Sequence, residues 1–538
     1  MPESRYDYII VGGGSAGCVL ANRLSASGKH RVCLLEAGPE DRTPLISTPG
    51  AFAYFMFSRK YNWMFDSEAK PDIRNGQPVF CPQGKTLGGG SAINAMVYIR
   101  GHRCDYDHWA ALGNRGWGYD DLLPYFRKNE TNERGGNEYH GDSGPIYVSD
   151  CRNYYPLNDR FLQAAEQAGF PITDDFNGAD QEGVGYYQFT IREGKRCSAS
   201  HGYLRPARSR PNLDVVCHAQ ATRILFEGRR AVGVEISRRG KTESLQADRE
   251  VLLSAGAYNS PKLLMLSGVG AGDTLAGSGI SPVHELPGVG ENLQEHVDSC
   301  VLQYSLRNDG FRASLGGLLG QAPHLFRYLF TKTGKLESSV TQAGGFLKTR
   351  PDLEAPDVQL HFLPLLYDDS GRDLKLMARS GYSCHACVLR PKSRGRVTLD
   401  SPDPFAPPRI DLNFFDHPDD RKTLVEGIRL VRSILAAPAF DDYRGAELNP
   451  GPDAKSDEEI LARAKERLGL VYHPSGTCKM GSDEMAVVDD ELRVRGLESL
   501  RVVDASIMPT LIGGNTNAPV MVIAEKAADL ILAPQERL

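Results

Sequence analysis

Short apolar runs alternate with a Gly-rich turn and a helical repeat at the start of the chain. "YDYIIV" at 6–11 reads as a buried strand, "SAGCVLANRLSAS" at 15–27 repeats its apolar positions at helical spacing, and "RVCLLEAG" at 31–38 reads as a second buried strand. Strand, turn, helix, strand is a βαβ unit and predicts a parallel sheet. A polar, turn-rich stretch at 151–196 leaves this body, and "LDVVCHAQATRILFEGRRAVGVEIS" and "EVLLSAGAYNSPKLLMLSGVG" return to strands and a helix. From about 305 to 470 the pattern alternates, as in "DVQLHFLPLL" and "CHACVLRPKSRGRVTLD", and then becomes the charged helical run "DRKTLVEGIRLVRSILAAP". A strand "LRVVDAS", a loop "IMPTLIGGNTNAP" and a helix "VMVIAEKAADLILA" close the chain. The expected organisation is α/β, with a discontinuous first domain over 1–150, 197–304 and 471–538 and an interleaved second domain over 151–196 and 305–470.

Composition narrows the classes of partner. With 538 residues the chain can bury a sizeable site, and 62 Lys and Arg against 68 Asp and Glu give a net charge of -6. That balance favours neither nucleic acid nor an anionic surface overall, so a small molecule is the expected partner. Eleven cysteines lie scattered without a repeated spacing, which fits free thiols in a reducing compartment. The N-terminus lacks the apolar length and cleavage site of a secretory signal, so the chain is expected to begin here and to be cytoplasmic. No run reaches the roughly eighteen apolar residues of a spanning helix. "LGGLLGQAPHLFRYLF" at 315–330 is interrupted by Gln321, Pro323, His324 and Arg327. It reads first as a helix that packs or covers a site, and second as one lying peripherally on the inner membrane.

Gly12, Gly14 and Gly17 spell G-x-G-x-x-G directly after the first strand and at the head of the helix. Such glycines permit a tight turn, close backbone approach to a pyrophosphate and close helix packing. Glu36 ends the next strand about twenty residues on, where a carboxylate accepts ribose hydroxyls and repels a 2′-phosphate. Two rivals overlap this dinucleotide signal. Gly13, Ser15 and Gly17 spell the G-x-S-x-G of a hydrolase elbow, but such elbows follow several strands and an oxyanion loop, and this turn follows the first strand. "GKT" at 84–86 ends like a P-loop, yet the glycine required at its head is Val79. Further on, "VYHPSGTCKMG" at 471–481 sets His473 and Cys478 in one turn. On the residues alone His473 could be a metal ligand, a nucleophile's partner, a proton acceptor or a buried ring. No third or fourth ligand stands nearby at zinc spacing, so no metal is expected. Cys384 and Cys387 form a lone C-x-x-C in a strand-like run, whose spacing sends the two side chains to opposite faces.

"GKTLGGGSAINAMVYIRGHRCDYD" at 84–107 and "GAYNSPKLLMLSGVG" at 256–270 closely resemble the two signature patterns of the glucose-methanol-choline (GMC) family of flavin oxidoreductases. "PGVGENLQEH", "YHPSGTCKMG" and "VVDASIMPTLIGGNTNAP" follow in the family's order, so the resemblance runs from about Tyr6 to Leu532. It is similar above all to bacterial alcohol dehydrogenases and choline-dehydrogenase-like members. The resemblance implies a Rossmann-like FAD-binding domain with an interleaved substrate-binding domain built on an antiparallel sheet with helices. It implies that Gly12, Gly14, Ser15, Ala16, Gly17, Glu36 and Ala37 hold the adenosine side of FAD, with Ala221 at the adenine. Gly84, Thr86, Leu87, Gly88, Gly89 and Gly90 would let backbone approach the cofactor. Trp63, Asn94, Ala95, Met96 and Val97, with Asp504, Ala505, Asn517 and Pro519, would complete the flavin wall. Some choline-oxidising relatives attach FAD through a histidine, but the matching residue is Ile93, so non-covalent FAD is expected.

Alcohol oxidation removes a hydroxyl proton and a hydride from one carbon; flavin takes the hydride and the protein must supply the base. The resemblance gives that role to His473 and makes Asn515 its partner, an amide that orients the substrate oxygen without titrating. The expected reaction is primary alcohol to aldehyde, with the aromatic run "AFAYFMF" at 51–57 favouring an apolar or amphipathic alcohol. Choline, a polyol or a sorbose-like sugar is the alternative substrate, and oxygen the alternative acceptor to a quinone or electron-transfer carrier. A serine hydrolase using Ser15 is the remote alternative.

Overall fold

The computed structural model describes residues 4–152, 154–307 and 310–533. Arg5–Val11 lies between Val32–Leu35 and Lys241–Leu253, parallel to both. A strand flanked and covered on all sides has no solvent face, which is why "YIIV" is continuously apolar rather than alternating. Leu213–Val216 extends the sheet beyond Val32–Leu35, and Leu500–Val502 adds a parallel strand against Lys241–Leu253. The antiparallel strands Arg230–Arg238 and Ala219–Glu227 complete seven strands. Helix Ser15–Ser25 packs against Asn517–Leu532, and Arg23 ties the two together through Glu525 and, at 2.5 Å, Asp529. The first and last helices of the chain thus meet over the same sheet.

A second seven-stranded sheet runs antiparallel in the order Arg444–Asn449, Val297–Ser305, Gly381–Val388, Val358–Leu363, Ala343–Leu347 and Gly183–Tyr186, with Gly469–Leu470 also paired to Val297–Ser305. Val297–Ser305 joins this sheet ahead of the boundary expected at 305, and Gly183–Tyr186 brings in the 151–196 segment. Helices Pro156–Gln167 and Pro418–Leu435 pack on one face, where Phe161 stacks on Phe362 with ring centroids 4.6 Å apart. The opposite face carries Asp298, His361 and His385 toward a cavity. Cys384 and Cys387 fall into different apolar clusters, as side chains on opposite faces of a strand must. All eleven cysteines are free. Leu315–Thr331 is a helix, and the aromatic run lies in the 3₁₀ segment Pro49–Phe57. Among the described residues no helix is long and apolar enough to cross a membrane.

Candidate active site

A cavity of about 380 Å³ lies between the two sheets. One end is built on the turn after the first strand, where Gly12, Gly14, Ser15 and Ala16 face the ends of the parallel strands. Glu36, Ala37 and Ala221 close that end. The Glu36 carboxylate accepts backbone N–H groups from Gly13 at 3.0 Å and Gly38 at 2.7 Å. Burial nevertheless pushes its pKa up to about 7. The glycine loop at 84–90 folds directly over this turn. Gly88 N–H donates to Gly13 O at 2.7 Å, and a Cβ on Gly89, whose φ is +51°, would stand 2.7 Å from Gly14 Cα. Only glycine allows two backbones to meet this closely.

The remaining expected cofactor residues divide into those on the wall and those behind it. Trp63, Gly84, Gly89, Gly90 and the run Asn94–Val97 reach the cavity, as do Asp504, Ala505 and Asn517. Gly17, Thr86, Leu87, Gly88 and Pro519 do not. Gly17 serves helix packing, since a Cβ there would lie 1.9 Å from Gly12 O. Thr86 donates its hydroxyl to Pro39 O, Leu87 fills the core beneath Gly13, and Pro519 is buried inside the last helix. Asp504 spends its carboxylate on protein: it accepts from Gly256 N–H and the Ser260 hydroxyl, capping the helix Gly256–Leu266, and from Ser506. The Ser15 hydroxyl donates to Asn517 Oδ1 at 2.8 Å, and no described imidazole contacts it, which removes the base that a serine nucleophile needs.

At the other end stand His473 and Asn515. His296 Nε2–H donates to Leu389 O at 2.9 Å, leaving His296 Nδ1 as an acceptor. That nitrogen lies 2.9 Å from His473 Nδ1, so His473 carries its proton on Nδ1 and keeps a lone pair on Nε2. Asn515 is oriented by a parallel logic. Gln359 donates to Asn515 Oδ1 at 3.1 Å, which turns Asn515 Nδ2 toward His473 Nε2, 3.3 Å away. Glu295 holds both histidines by their backbones, its Oε1 accepting from His473 N–H at 2.6 Å and His296 N–H at 2.9 Å. Burial lowers the pKa of His473 well below its ordinary value, and the neighbouring His296 and His361 lower it further. The imidazole is therefore neutral at neutral pH, and its Nε2 carries a lone pair that faces Asn515 Nδ2.

Sequence reading passed over His296, Glu295, Asp298, His361 and His385. Asp298 Oδ2 lies 2.6 Å from His385 Nδ1 on the far wall. Burial alone would lower the His385 pKa, but the neighbouring Asp298 outweighs it and raises it. A signal existed for His296, because "ENLQEH" belongs to the recurrent series quoted above; none pointed to His385 in an apolar strand. Arg196 was also missed. It is buried and holds Asn94 by the carbonyl and the side-chain oxygen, both at 2.7 Å, without a carboxylate partner among the described residues. Cys478 is fully buried off the cavity, its N–H bonded to Ser506 O.

An extended ligand with an adenosine-like end and a flat end near His473 fits this space. Gly14 and Gly90 line the cavity with almost nothing where a Cβ would stand, so a side chain at either would fill room a cofactor needs. The helix Asn517–Leu532 presents its first residues to the same wall, where free N–H groups favour negative charge. Residues 6–298 match the family model for the N-terminal part of the GMC oxidoreductases, and residues 391–524 match the C-terminal model. The alcohol dehydrogenase (acceptor) of Pseudomonas putida is 47% identical over 534 residues, covering 98% of this chain and 96% of that protein. The oxygen-dependent choline dehydrogenase of Photobacterium profundum is 44% identical over 98% of this chain and 93% of its own. Among solved structures, pyridoxine 4-oxidase from Mesorbium loti superposes with a TM-score of 0.88 at 31% identity, covering 97% of this chain and 98% of that one.

Proposed function

The chain belongs to the GMC oxidoreductase family, whose members bind FAD, and from that membership we propose that it oxidises a primary alcohol to the aldehyde with His473 as general base and Asn515 as its partner. The observation that carries the reading is the unprotonated Nε2 of His473, set beside the Asn515 amide on the cavity wall and fixed in that tautomer by the proton that His473 Nδ1 gives to His296. An alcohol oxygen between His473 and Asn515 would donate its proton to Nε2 and accept from Asn515 Nδ2–H. As that proton leaves, the amide stabilises the charge growing on oxygen. When bound, FAD supplies the acceptor for the hydride leaving the same carbon. His473 then holds a second proton, and His296 continues to accept from Nδ1, so the ring does not need to turn. The buried Ile93 offers no nucleophile to the cofactor, which supports non-covalent FAD.

The walls beyond His473 favour a neutral, amphipathic alcohol. Phe52, Met56, Val97 and Leu363 supply apolar surface, and the carboxylate of Asp298 is already engaged by His385 at 2.6 Å. Choline or a polyol is the second reading, because Asp298 still faces the cavity and is the group that would attract a cationic or hydroxylated tail. We take the electron acceptor to be a quinone or an electron-transfer carrier; the name of the Pseudomonas putida relative specifies an acceptor without identifying it. The test is anaerobic bleaching of the flavoprotein by medium-chain primary alcohols, choline and sorbitol, followed by mixing with oxygen or a soluble quinone. Bleaching by the medium-chain alcohols and faster recovery with quinone are expected. His473→Ala should retain flavin and be reduced at least about a hundredfold more slowly, the scale of a lost general base. Reduction at the wild-type rate would overturn the assignment.

A further inference from the structure

Arg196 is 2% exposed and lies behind the wall formed by Asn94, Ala95, Met96 and Val97. Its Nε–H donates to Ile46 O at 2.9 Å, and its Nη1–H groups to Ser91 O at 3.2 Å and to Asn94 O and Oδ1, both at 2.7 Å. Every one of these acceptors is a neutral oxygen. Among the described residues Nη2 has no hydrogen-bond partner, no carboxylate pairs with the guanidinium, and the titratable neighbour that acts on it is the Tyr328 phenol. Burial pulls its pKa down to about 9, which still leaves it charged at neutral pH. A cation taken out of water without a counterion is among the costliest groups a fold can hold, and buried arginines are ordinarily paired. Arg196 thus brings a positive charge to this wall whose partner the described residues do not supply.

The wall in front of it belongs to the His473 end of the cavity. Met96 and Val97 share an apolar cluster with Leu389, whose carbonyl orients His296, and Val471 packs on the same cluster. Ile93 shares another cluster with Met56 and with Ile46, whose carbonyl takes the Arg196 Nε–H. Between the two clusters Asn94 makes a tight turn. Its Oδ1 accepts from Met96 N–H at 3.1 Å, and Met96 has φ +65°, a left-handed conformation that a residue with a side chain seldom adopts. Arg196 bonds that same Oδ1 and the Asn94 carbonyl, so it braces the strained turn and sets its charge directly behind the wall. At the adenosine end, by contrast, the buried ionisable group is the Glu36 carboxylate.

We propose that Arg196 raises the reduction potential of the bound flavin, its uncompensated positive charge favouring the reduced ring while its hydrogen bonds hold the Asn94 turn against that ring. Accepting a hydride brings two electrons and one proton, so the reduced ring gains one negative charge unless it takes up a second proton. A fixed cation behind a dry wall stabilises that charge and needs no rearrangement when it appears. Arg196 is a positioning residue in this scheme, since it stands off the cavity and acts through Asn94 and through its field. The proposal rests on the reading that the flavin ring lies at the His473 end; it does not depend on which alcohol is oxidised.

The test is the flavin midpoint potential of the FAD-loaded full chain, measured by reductive titration against a reference dye in the wild type, Arg196→Gln, Arg196→Lys and Asn94→Asp. No alcohol enters this measurement, so failure of alcohols to bleach the flavin would overturn the functional reading and leave the potentials to decide the role of Arg196. Arg196→Gln keeps donors for the carbonyls and removes the charge. Its equilibrium is expected to shift at least about tenfold toward oxidised flavin, a fall of about 30 mV for a two-electron couple. Arg196→Lys keeps the charge and should recover most of that fall, although its single ammonium cannot reproduce the fork of bonds to Asn94. Asn94→Asp gives Arg196 a carboxylate where it now bonds an amide oxygen at 2.7 Å and should also lower the potential. An unchanged potential in Asn94→Asp overturns the proposal even if Arg196→Gln does not fold, because a charge at this place would then not reach the flavin. An unchanged potential in Arg196→Gln overturns it too, as does an equal fall in Arg196→Lys, which would make Arg196 a packing anchor. Loss of FAD affinity at constant potential would give the cation to the pyrophosphate instead and equally overturn it.

Discussion

His473 and His296 are both buried imidazoles, yet only one can act as a base. His296 has each ring nitrogen engaged behind the wall, by Leu389 O and by His473, whereas among the described residues His473 Nε2 meets only the Asn515 amide at 3.3 Å, and both His473 and Asn515 line the cavity. His296 thus acts through another residue, fixing its tautomer, and His296→Ala should slow flavin reduction by roughly ten- to a hundredfold with flavin content unchanged, the usual cost of losing an orienting partner. Stopped-flow reduction measures it, and a wild-type rate would remove His296 from this role. Glu295 raises a separate question of pH. Burial pushes its pKa up to about 8 against the partial relief of its two backbone hydrogen bonds, so the folded chain keeps a proton that the unfolded chain releases near its ordinary value of 4.5. Stability from this group is therefore fully present below pH 4.5 and is lost as pH rises to about 8, at up to about 1.4 kcal/mol per pH unit. Glu295→Gln keeps an oxygen for the same N–H groups and removes the titration. Its melting temperature should gain on the wild type steadily from pH 5 to 8; a constant difference across that range would show that Glu295 does not carry the proton.

At the scale of elements, Asn515 depends on a loop that other parts of the chain hold down. Gly513 N–H donates to Asp105 Oδ2 at 2.8 Å, and Asp105 is itself bound by Arg390. Gly514 has φ +150°, and a Cβ there would stand 2.5 Å from Ile99 Cγ2. Gly514→Ala must displace the loop, moving Asn515 relative to a histidine only 3.3 Å away. At least about a tenfold fall in the rate of flavin reduction is expected, since small misplacements of positioning groups cost this much or more. Because Gly514 lies away from the adenosine end, FAD affinity should change little; equal loss of both would show that the loop holds the cofactor rather than the substrate.

At the scale of the molecule, the site belongs to neither sheet alone. The first supplies the glycine turn, the glycine loop and the start of the last helix; the second supplies Asp298, His361 and His385. A ligand spanning both should stabilise the whole fold, by about 2.7 kcal/mol at a hundredfold excess over its Kd. FAD removed and restored should lower and then recover the melting temperature, and an unchanged value would argue against binding across the two bodies. Much of this was legible in the chain, because the elements concerned are local. A strand buried on both faces must be apolar throughout, a dinucleotide turn must have glycine where backbones touch, and an acidic residue must end the next strand; each demand acts within a few dozen residues. Asn515 and His473 could be named because they fall inside long recurrent segments. What only the tertiary structure decided is which groups surround them. His296 meets His473 across 177 residues, and Asp298 meets His385 across 87. Strand register and loop anchoring bring these pairs together, and neither leaves a periodicity in sequence. Nor could the sequence reveal that Arg196 is buried against neutral oxygens, since an arginine reads the same whether it meets water, a carboxylate or a carbonyl until its neighbours are in place.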